Sequence, residues 1–319
     1  MHVSTPLRDL SIGAASEDGD FVLELAAPFV DVEKQIDQYY EYPIGEWNRL
    51  EVQERGPSQK SREASYTLST TPYECKRYAV KKGYDWSDKA EADAILDLDR
   101  DAADYLSNQM KLKGDQLFAT EAMIAATWTT DFDGAAAKAY GSSEVLFWDD
   151  ASGDPQEDHY YLSGQVKGLC GKTPNVMVVG WDVHTALVAN AQVRDAIKHT
   201  SPAGGANIEN FLASYFNVEQ YIPGGAFYNS AAEGATDSIA FLIPSDSVWA
   251  GYVSKRKGAR VFTATRTFAF RDDGRASKGV VTRQWQDEER TTTWNECEMF
   301  WDMKIISADA GYFIDDVLT

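Results

Sequence analysis

From Ser87 to Trp128 the sequence carries the pattern of one long helix. At ~1.5 Å per residue, about 40 residues would make a rod of roughly 60 Å, far beyond the ~11–12-residue average helix. Ser87 is the expected N-cap, with Asp88 and Glu91 in the first turn, where the helix dipole favours acids. Ile95, Leu98, Ala102, Leu106 and Met110 follow in steps of three and four, which keeps them on one stripe. Asp93, Asp97, Arg100, Asp101, Asp104 and Lys111 occupy the opposite face. Gly114 weakens a helix by about 1 kcal/mol, so a kink is expected at Lys113-Gly114 before Leu117, Phe118, Ala122, Ile124 and Trp128 continue the apolar side. A helix this long needs a sheet or neighbouring subunits along its whole length.

Residues 1–34 read as an arm: small and polar residues, then Phe21-Val-Leu-Glu-Leu and Pro28-Phe-Val, with no stripe long enough to stand alone. After Tyr39, Tyr40, Tyr42 and Trp47, the stretch from Ile44 to Leu68 resembles two strands around the polar tip Gly56-Pro57-Ser58. It has too few apolar residues for a core, and an isolated hairpin is marginal in water. It should therefore lie on another domain or subunit. Its charges balance, with Glu46, Glu51, Glu54 and Glu63 against Arg49, Arg55, Lys60 and Arg62. Arg49, Glu51, Glu54, Arg55, Lys60, Arg62 and Glu63 are thus candidates for intersubunit contacts, a solvated loop being the alternative.

A strand at 74–80 precedes the long helix, and Thr127 to Asp133 follows it. Asp154-Pro155 opens a second helix to about Leu169, with proline in the first turn, and Gly171 stops it. Pro174 to Gly180 is a short apolar run typical of a buried strand. Trp181 to His199 and Ile208 to Phe216 return to helical spacing, and Val218–Ile222 and Ser238–Ile243 are strand-like, as in an α/β layer. Arg260–Phe270, Val280–Gln284 and Thr291–Ile306 are rich in β-branched and aromatic residues, and Gly311-Tyr-Phe-Ile makes a last strand. Long antiparallel strands of this kind offer the sheet that the helix could lie across. The fold class is α+β.

The chain has 319 residues, enough for one large or two ordinary domains, and 44% hydrophobic residues, as expected of a folded protein. It has no apolar run of transmembrane length and no secretory signal core. Cys75, Cys170 and Cys297 form no CxxC pair and read as free thiols in a reducing compartment. The 50 acids against 30 bases, a net charge of −20, disfavour general nucleic-acid clamping, which works by neutralising phosphates.

In order, these elements resemble the major capsid proteins of tailed bacteriophages, the Hong Kong 97-type fold. The resemblance rests on Tyr73-Glu-Cys-Lys-Arg-Tyr-Ala, Gly171-Lys-Thr-Pro-Asn-Val-Met-Val-Val-Gly, Val193-Arg-Asp-Ala-Ile-Lys and Ala310-Gly-Tyr-Phe-Ile, and on their sequence along nearly the whole chain. It implies an N-terminal arm at 1–34, an E-loop at 35–72, and a P-domain at 73–170 and 266–319 around a spine helix at about 87–128. An A-domain then spans 171–265. It further implies pentamers and hexamers closing an icosahedral shell around double-stranded DNA, assembled in a host cytoplasm and residing in the virion. Portal and possibly decoration proteins would be partners. No long coiled coil precedes the arm, so a separate scaffolding protein is expected, with no membrane.

Enzymatic readings find little support. His2, His159, His184 and His199 form no metal-ligand spacing, and there is no GxSxG, P-loop or GxGxxG. His159 and Cys170, eleven residues apart, are a weak Cys–His candidate. A glycoside hydrolase could use the nine Trp and a carboxylate pair. Asp149-Asp150 and Asp315-Asp316, however, are neighbours that a strand would point to opposite faces. An encapsulin-like compartment shell shares the capsid fold and is the nearer alternative, and a small-molecule binding module is a third. No catalytic, cofactor or metal residue is assigned.

Overall fold

A computed structural model describes residues 21–87, 98–200, 208–256, 261–271 and 278–319, without the side chains of 197–200. Seven α-helices and fifteen strands are described in it: α1 (Leu23–Ala26), β1 (Phe29–Val32), β2 (Ile36–Glu41), α2 (Ile44–Trp47), β3 (Ser69–Glu74), β4 (Lys76–Asp85), α3 (Leu98–Ala122), β5 (Thr130–Ala135), β6 (Glu144–Leu146), α4 (Pro155–Cys170), β7 (Val176–Gly180), α5 (Trp181–Ala189), α6 (Ala191–Thr200), α7 (Ile208–Tyr215), β8 (Gln220–Gly224), β9 (Phe227–Asn229), β10 (Ile239–Phe241), β11 (Val248–Gly251), β12 (Thr265–Phe270), β13 (Val280–Asp287), β14 (Thr292–Ile305) and β15 (Gly311–Asp315).

The spine of the first sheet is β14. Along one edge it pairs with β4, from Thr292↔Asp85 to Trp301↔Lys76. Along the other edge β13 and β12 lie end to end, and β1 adds in parallel outside β12. Alternation splits β14 cleanly: Cys297, Met299, Trp301 and Met303 join Leu106, Met110 and Phe118 of α3 in one core, whereas Phe300 packs against Tyr73 and Phe268 on the far face. Helix α3 thus lies across one face of the sheet. Its described part, 25 residues, spans roughly 37 Å. The expected cap region at 88–97 lies outside the described residues, while Ser87 donates both its N–H and its hydroxyl to Asp85 at 2.8 Å.

Helix α3 runs unbroken through Gly114. A Cβ there would sit 2.9 Å from Leu23 Cδ2 and 3.1 Å from a Trp301 ring carbon. The glycine lets the arm and β14 close onto the helix. The C-terminal end differs from expectation: α3 stops at Ala122, and Trp128 lies beyond it, donating its indole N–H to the Ala122 carbonyl at 2.7 Å.

The second sheet has the order β6-β5-β15-β11-β7-β8. Val176, Val178, Trp249 and Phe313 on one face continue the core of α3, and Met177, Val179, Tyr312 and Ile314 on the other are covered by the helices that follow. The terminal strand was expected beside the long C-terminal strands. It sits instead in the middle of this second sheet, parallel to β5 and antiparallel to β11. Helix α4 matches expectation, with Asp154 accepting the Glu157 N–H at 3.0 Å and Gly171 in the left-handed conformation at φ 73°. The single helix expected from Trp181 to His199 is two, because Asn190 stops the first and its side chain accepts the N–H of Gln192 at 2.8 Å to start the next.

Buried polar groups tie the layers together. Asp115, fully buried on α3, accepts the backbone N–H of Val22 at 3.0 Å and of Leu23 at 2.9 Å, and so holds the first turn of α1. Thr265 and Thr267 donate to the carbonyls of Ala26 and Ala27. The arm from Phe21 to Val32 is therefore part of this chain's own core. On the second sheet, His159 lies 2.7 Å from the Tyr312 hydroxyl and 3.3 Å from that of Ser163. Asp158 beside it accepts from Tyr140, Trp148 and Lys138.

Two predictions follow from this packing. Helix propensity alone would make Gly114→Leu stabilising, but the close approach of Leu23 and Trp301 should make it lose about 1–3 kcal/mol, read from urea midpoints. The second concerns pH. Burial pulls His159 down to about 4 from 6.5, so the unfolded chain takes up a proton first and stability falls as pH drops from 6.5 towards 4. Burial pushes Asp115 up to about 7, against the pull of the Leu23 and Val22 N–H groups. Its contribution is full below about 3.8 and is lost as pH rises through 7. Each is worth on the order of 3 kcal/mol at full extent. Asp115→Asn should flatten the loss between pH 4 and 7, and His159→Gln the loss between pH 6.5 and 4, in urea titrations at fixed ionic strength.

Candidate assembly surfaces

Strands β2 and β3 pair antiparallel from Ile36↔Glu74 to Glu41↔Ser69 and form the stem of a long excursion. Tyr39 and Tyr73 anchor it by stacking on Phe268, with centroids 5.3 and 4.6 Å away, on the face of the first sheet opposite α3. Burial raises Tyr39 and Cys75 to about 12, which leaves both neutral. The expected strand pair therefore forms, but at 36–41 and 69–74 and not within 44–68. Inward apolar residues sit only at the stem. Beyond it, residues 48–68 make a turn at Pro57-Ser58 and otherwise no regular structure.

The base of the loop is closed by Glu46, which accepts the N–H and hydroxyl of Thr67 at 2.6 and 2.9 Å, and these bonds lower its pKa. Tyr42, Trp47 and Tyr66 cluster edge-on beside it. Outside this base the loop has no core. Leu50 and Val52 are 87% and 85% exposed, the two most exposed large hydrophobic side chains among the described residues.

The seven candidate contact residues all lie in this loop. Glu51 gathers two of them, Arg62 at 2.8 Å and Arg49 at 3.8 Å. Arg55 donates to the Gln59 carbonyl and lies 3.4 Å from the Ser61 hydroxyl, so it holds the tip turn together. Glu54, Lys60 and Glu63 are exposed and, among the described residues, make no ion pair within the chain. Part of the expected charge network is thus internal to the loop, and Arg55 serves the turn.

A second exposed surface is built on another hairpin. The β9–β10 hairpin presents Tyr228, Ile239 and Phe241, with Trp181 at the start of α5 stacked on Phe241 at 6.2 Å.

Other candidates are placed by their partners. His159 and Cys170 do not pair: His159 is held by Tyr312 and Ser163, while Cys170 contacts the Lys172 carbonyl. His184 lies 2.9 Å from the Tyr221 hydroxyl. Asp149 holds the hydroxyl of Thr319 at 2.6 Å. Asp315 and Asp316 do converge, contrary to the alternation argument, because Asp316 lies past the end of β15 at φ 46°. With Asp246 they bring carboxylate oxygens within 4.8 Å of one another, and Asp315 and Asp246 raise the Asp316 pKa. Among the described residues, no helix is long and apolar enough to cross a membrane.

Sequence reasoning missed Asp115, the partnership of His159 with Tyr312 and the loop's bare aliphatics. Asp115 was legible as an acid three residues before Phe118, on the inward side of α3. His159 and Tyr312, 153 residues apart, meet only through the fold.

No protein-family model matches the chain, and no curated protein matches it. Solved structures do. A phage-related protein from Bordetella bronchiseptica RB50 superposes with a TM-score of 0.69 at 16% identity, over 95% of this chain and 94% of that one. The capsid of cyanophage P-SCSP1u gives 0.57 at 11% identity, over 98% and 94%. The holo-SrpI encapsulin complex from Synechococcus elongatus PCC 7942 gives 0.53 at 12%, over 100% and 98%. These structures superpose on the chain along nearly its whole length and theirs, and the chain has the Hong Kong 97-type capsid fold.

Proposed function

We propose that the chain is a major capsid protein of a tailed bacteriophage, a structural and non-catalytic subunit. It would assemble into the pentamers and hexamers of an icosahedral shell enclosing double-stranded DNA. The observation that carries this reading is the loop at 48–68, which projects from its stem with Leu50 and Val52 bare and no core of its own, on a chain with a capsid fold over its whole length. A segment of this composition is stabilised by what it lands on. Repeated heterologous contacts of one such loop with the next subunit generate closed rings.

In this reading residues 171–265 form the A-domain at the ring centre, where the exposed β9–β10 hairpin suits contacts around an axis. Residues 73–170 and 266–319 form the peripheral P-domain, and 35–72 the E-loop. Of the arm at 1–34, the part from Phe21 to Val32 is committed to its own chain. Scaffolding, portal and possibly decoration proteins are the expected partners, and the virion, assembled in a host cytoplasm, the expected location. An encapsulin-like compartment is separated from this reading by cargo.

The purified chain is expected to sediment as rings, tubes or shells, with packaged nucleic acid in particles recovered from infected cells. A monodisperse 35.4 kDa monomer at all salt and protein concentrations overturns the shell reading, and shells filled with a host enzyme favour the compartment. Lys60→Glu should leave the monomer melting temperature unchanged while lowering particle yield or making it salt-sensitive, because Lys60 makes no ion pair among the described residues and one exposed pair is worth only ~0.2–1 kcal/mol. A lowered melting temperature with normal yield would mean that the loop serves its own subunit. With a net charge of −20, the free protein should bind duplex DNA no better than weakly at ~0.15 M salt, where the Debye length is ~8 Å. Nanomolar, salt-steep binding in a filter assay would contradict that.

A further inference from the structure

The first sheet has two open edges, and they differ in chemistry. Among the described residues β4 and β13 each pair with β14 alone. Along β4 stand Lys76, Arg77, Lys81 and Lys82, and cations on an edge strand keep a second strand from adding to it. Along β13 the chain reads Val280-Val-Thr-Arg-Gln-Trp-Gln-Asp287, with Thr282 to Gln286 exposed and Arg283 the one cation within the strand. Its backbone is set to pair. Phe300 donates its N–H to the Gly279 carbonyl, so Gly279, Val281, Arg283 and Trp285 make their ladder bonds with β14. Alternation then directs the N–H and C=O groups of Val280, Thr282, Gln284 and Gln286 outward.

The side chains of this edge complement themselves. Only registers that set an outward-facing residue against another complete a ladder. With two β13 strands antiparallel about a two-fold axis at Gln284, Gln284 meets its own mate and Thr282 meets the partner's Gln286, twice over. Arg283 then lies across from the partner's Trp285, also twice, which makes two cation–π pairs on the face away from α3. Trp285 is 38% exposed, and Arg283, 3.7 Å from Glu298, keeps half its side chain in water and an outer side for a partner ring. Val281 falls opposite the partner's Asp287. An axis at Arg283 would set that guanidinium against its own mate, and one at Trp285 would shorten the paired stretch to 283–287. Past the strand ends Lys278 would face the partner's Arg290, but each is held by an acid of its own chain, Glu24 and Asp287. Glu288 and Glu289 would face uncharged Val280 and Gly279.

We propose that β13 is a two-fold contact between copies of this chain, in which two β13 strands pair antiparallel about Gln284 and the first sheets of two subunits become one continuous sheet. This rests on the shell reading for the setting in which the copies meet and adds a second kind of contact to it. A heterologous contact closes a ring, whereas an isologous one joins a subunit of one ring to a subunit of the next.

Single cysteines give a direct test, because a two-fold axis brings one position onto itself. Hydrogen-bonded antiparallel partners have Cα atoms ~5.5 Å apart, within disulfide reach. Oxidised Gln284→Cys should therefore run as a covalent dimer on a non-reducing gel, at least tenfold above the parent chain with its three native cysteines. Thr282→Cys, whose own mate lies four residues along the ladder, should stay at that background, and Thr282→Cys/Gln286→Cys should cross-link. Particles of normal yield in which Gln284→Cys stays at background overturn the pairing and leave the shell reading standing. A dimer from Thr282→Cys alone, with none from Gln284→Cys, overturns it as well. A covalent Gln284→Cys dimer from a chain that forms no rings, tubes or shells keeps the pairing and sinks the shell reading, and a parent that stays monomeric with no cross-link sinks both. As a second readout, Gln284→Pro removes an outward N–H at an edge, where proline is tolerated, and should lower particle yield at least tenfold at an unchanged monomer melting temperature. Trp285→Lys, which sets like charges opposite each other, should do the same and decides the matter if the proline variant melts lower. Normal yield from Trp285→Lys overturns the proposal.

Discussion

The fold depends on one meeting of aromatic rings, where the end of α3 enters the corner between the two sheets. Phe118 meets Trp249 edge-on at 5.3 Å, and Trp128, folded back onto the helix terminus, lies 5.6 Å from the same ring. Trp249 belongs to β11 in the middle of the second sheet, and Trp301 to β14 in the middle of the first. All four lie in one continuous core. Burying one such side chain is worth about 1.5–3 kcal/mol, and a domain is stable by only ~5–15 kcal/mol. A few rings at this corner are therefore comparable to the whole margin. The helix is long because it must reach from this corner along the full width of the first sheet.

Much of this was legible in the sequence, and the exceptions have physical causes. The stripe Ala102, Leu106, Met110 lies on the buried side of α3 as its spacing says, and Asp154-Pro155 with Gly171 bounds α4 to within a residue. At Gly114 propensity sees only a weak point, whereas the structure gives the missing side chain a use: it is the space into which Leu23 and Trp301 pack. The placement of Gly311 to Asp315 was misread because a short apolar strand carries no record of which sheet it joins. In the loop, the error was one of position. Alternation between Ala64 and Leu68 suggested pairing, but only Tyr39 and Tyr73 find an apolar surface to stack on, so the ladder forms there. The candidate charges were visible as a balanced set, yet their internal pairing onto Glu51 depends on loop geometry.

Acidic surplus and buried charge are handled differently in the two halves. On the first sheet Glu298 is fully buried and is held by Arg77 from β4, with Arg283 from β13 at 3.7 Å, so one carboxylate ties three adjacent strands. Burial of a charge is costly unless it is paired, and here the two arginines reach it from half-exposed positions. The hydrogen bond to Glu298 raises the Arg77 pKa in turn. On the second sheet the charge of Asp158 is met by Lys138 at 2.9 Å, with Tyr140 and Trp148 completing its hydrogen bonds. Both devices keep the interior neutral overall and leave the excess of acids on the surface, where it favours solubility at high local concentration.

Separating the loop from the core has a mechanical consequence. Stem residues Tyr39 and Tyr73 fix where the excursion leaves the body, because both rings stack on Phe268. Past Glu46 and Thr67 nothing in the loop contributes to the main cores. In the proposed shell, folding and landing would therefore be governed by different residues. The body can reach its full stability before the loop meets anything, and the loop's two bare aliphatics stay in water until a partner surface covers them. Burying both would contribute about 3–6 kcal/mol, part of it offset by ordering a segment that has no regular structure of its own. A single contact of that net strength is reversible, and a closed ring of identical contacts is not easily undone. In the proposed shell, that combination would let a misplaced subunit leave while a completed ring persists.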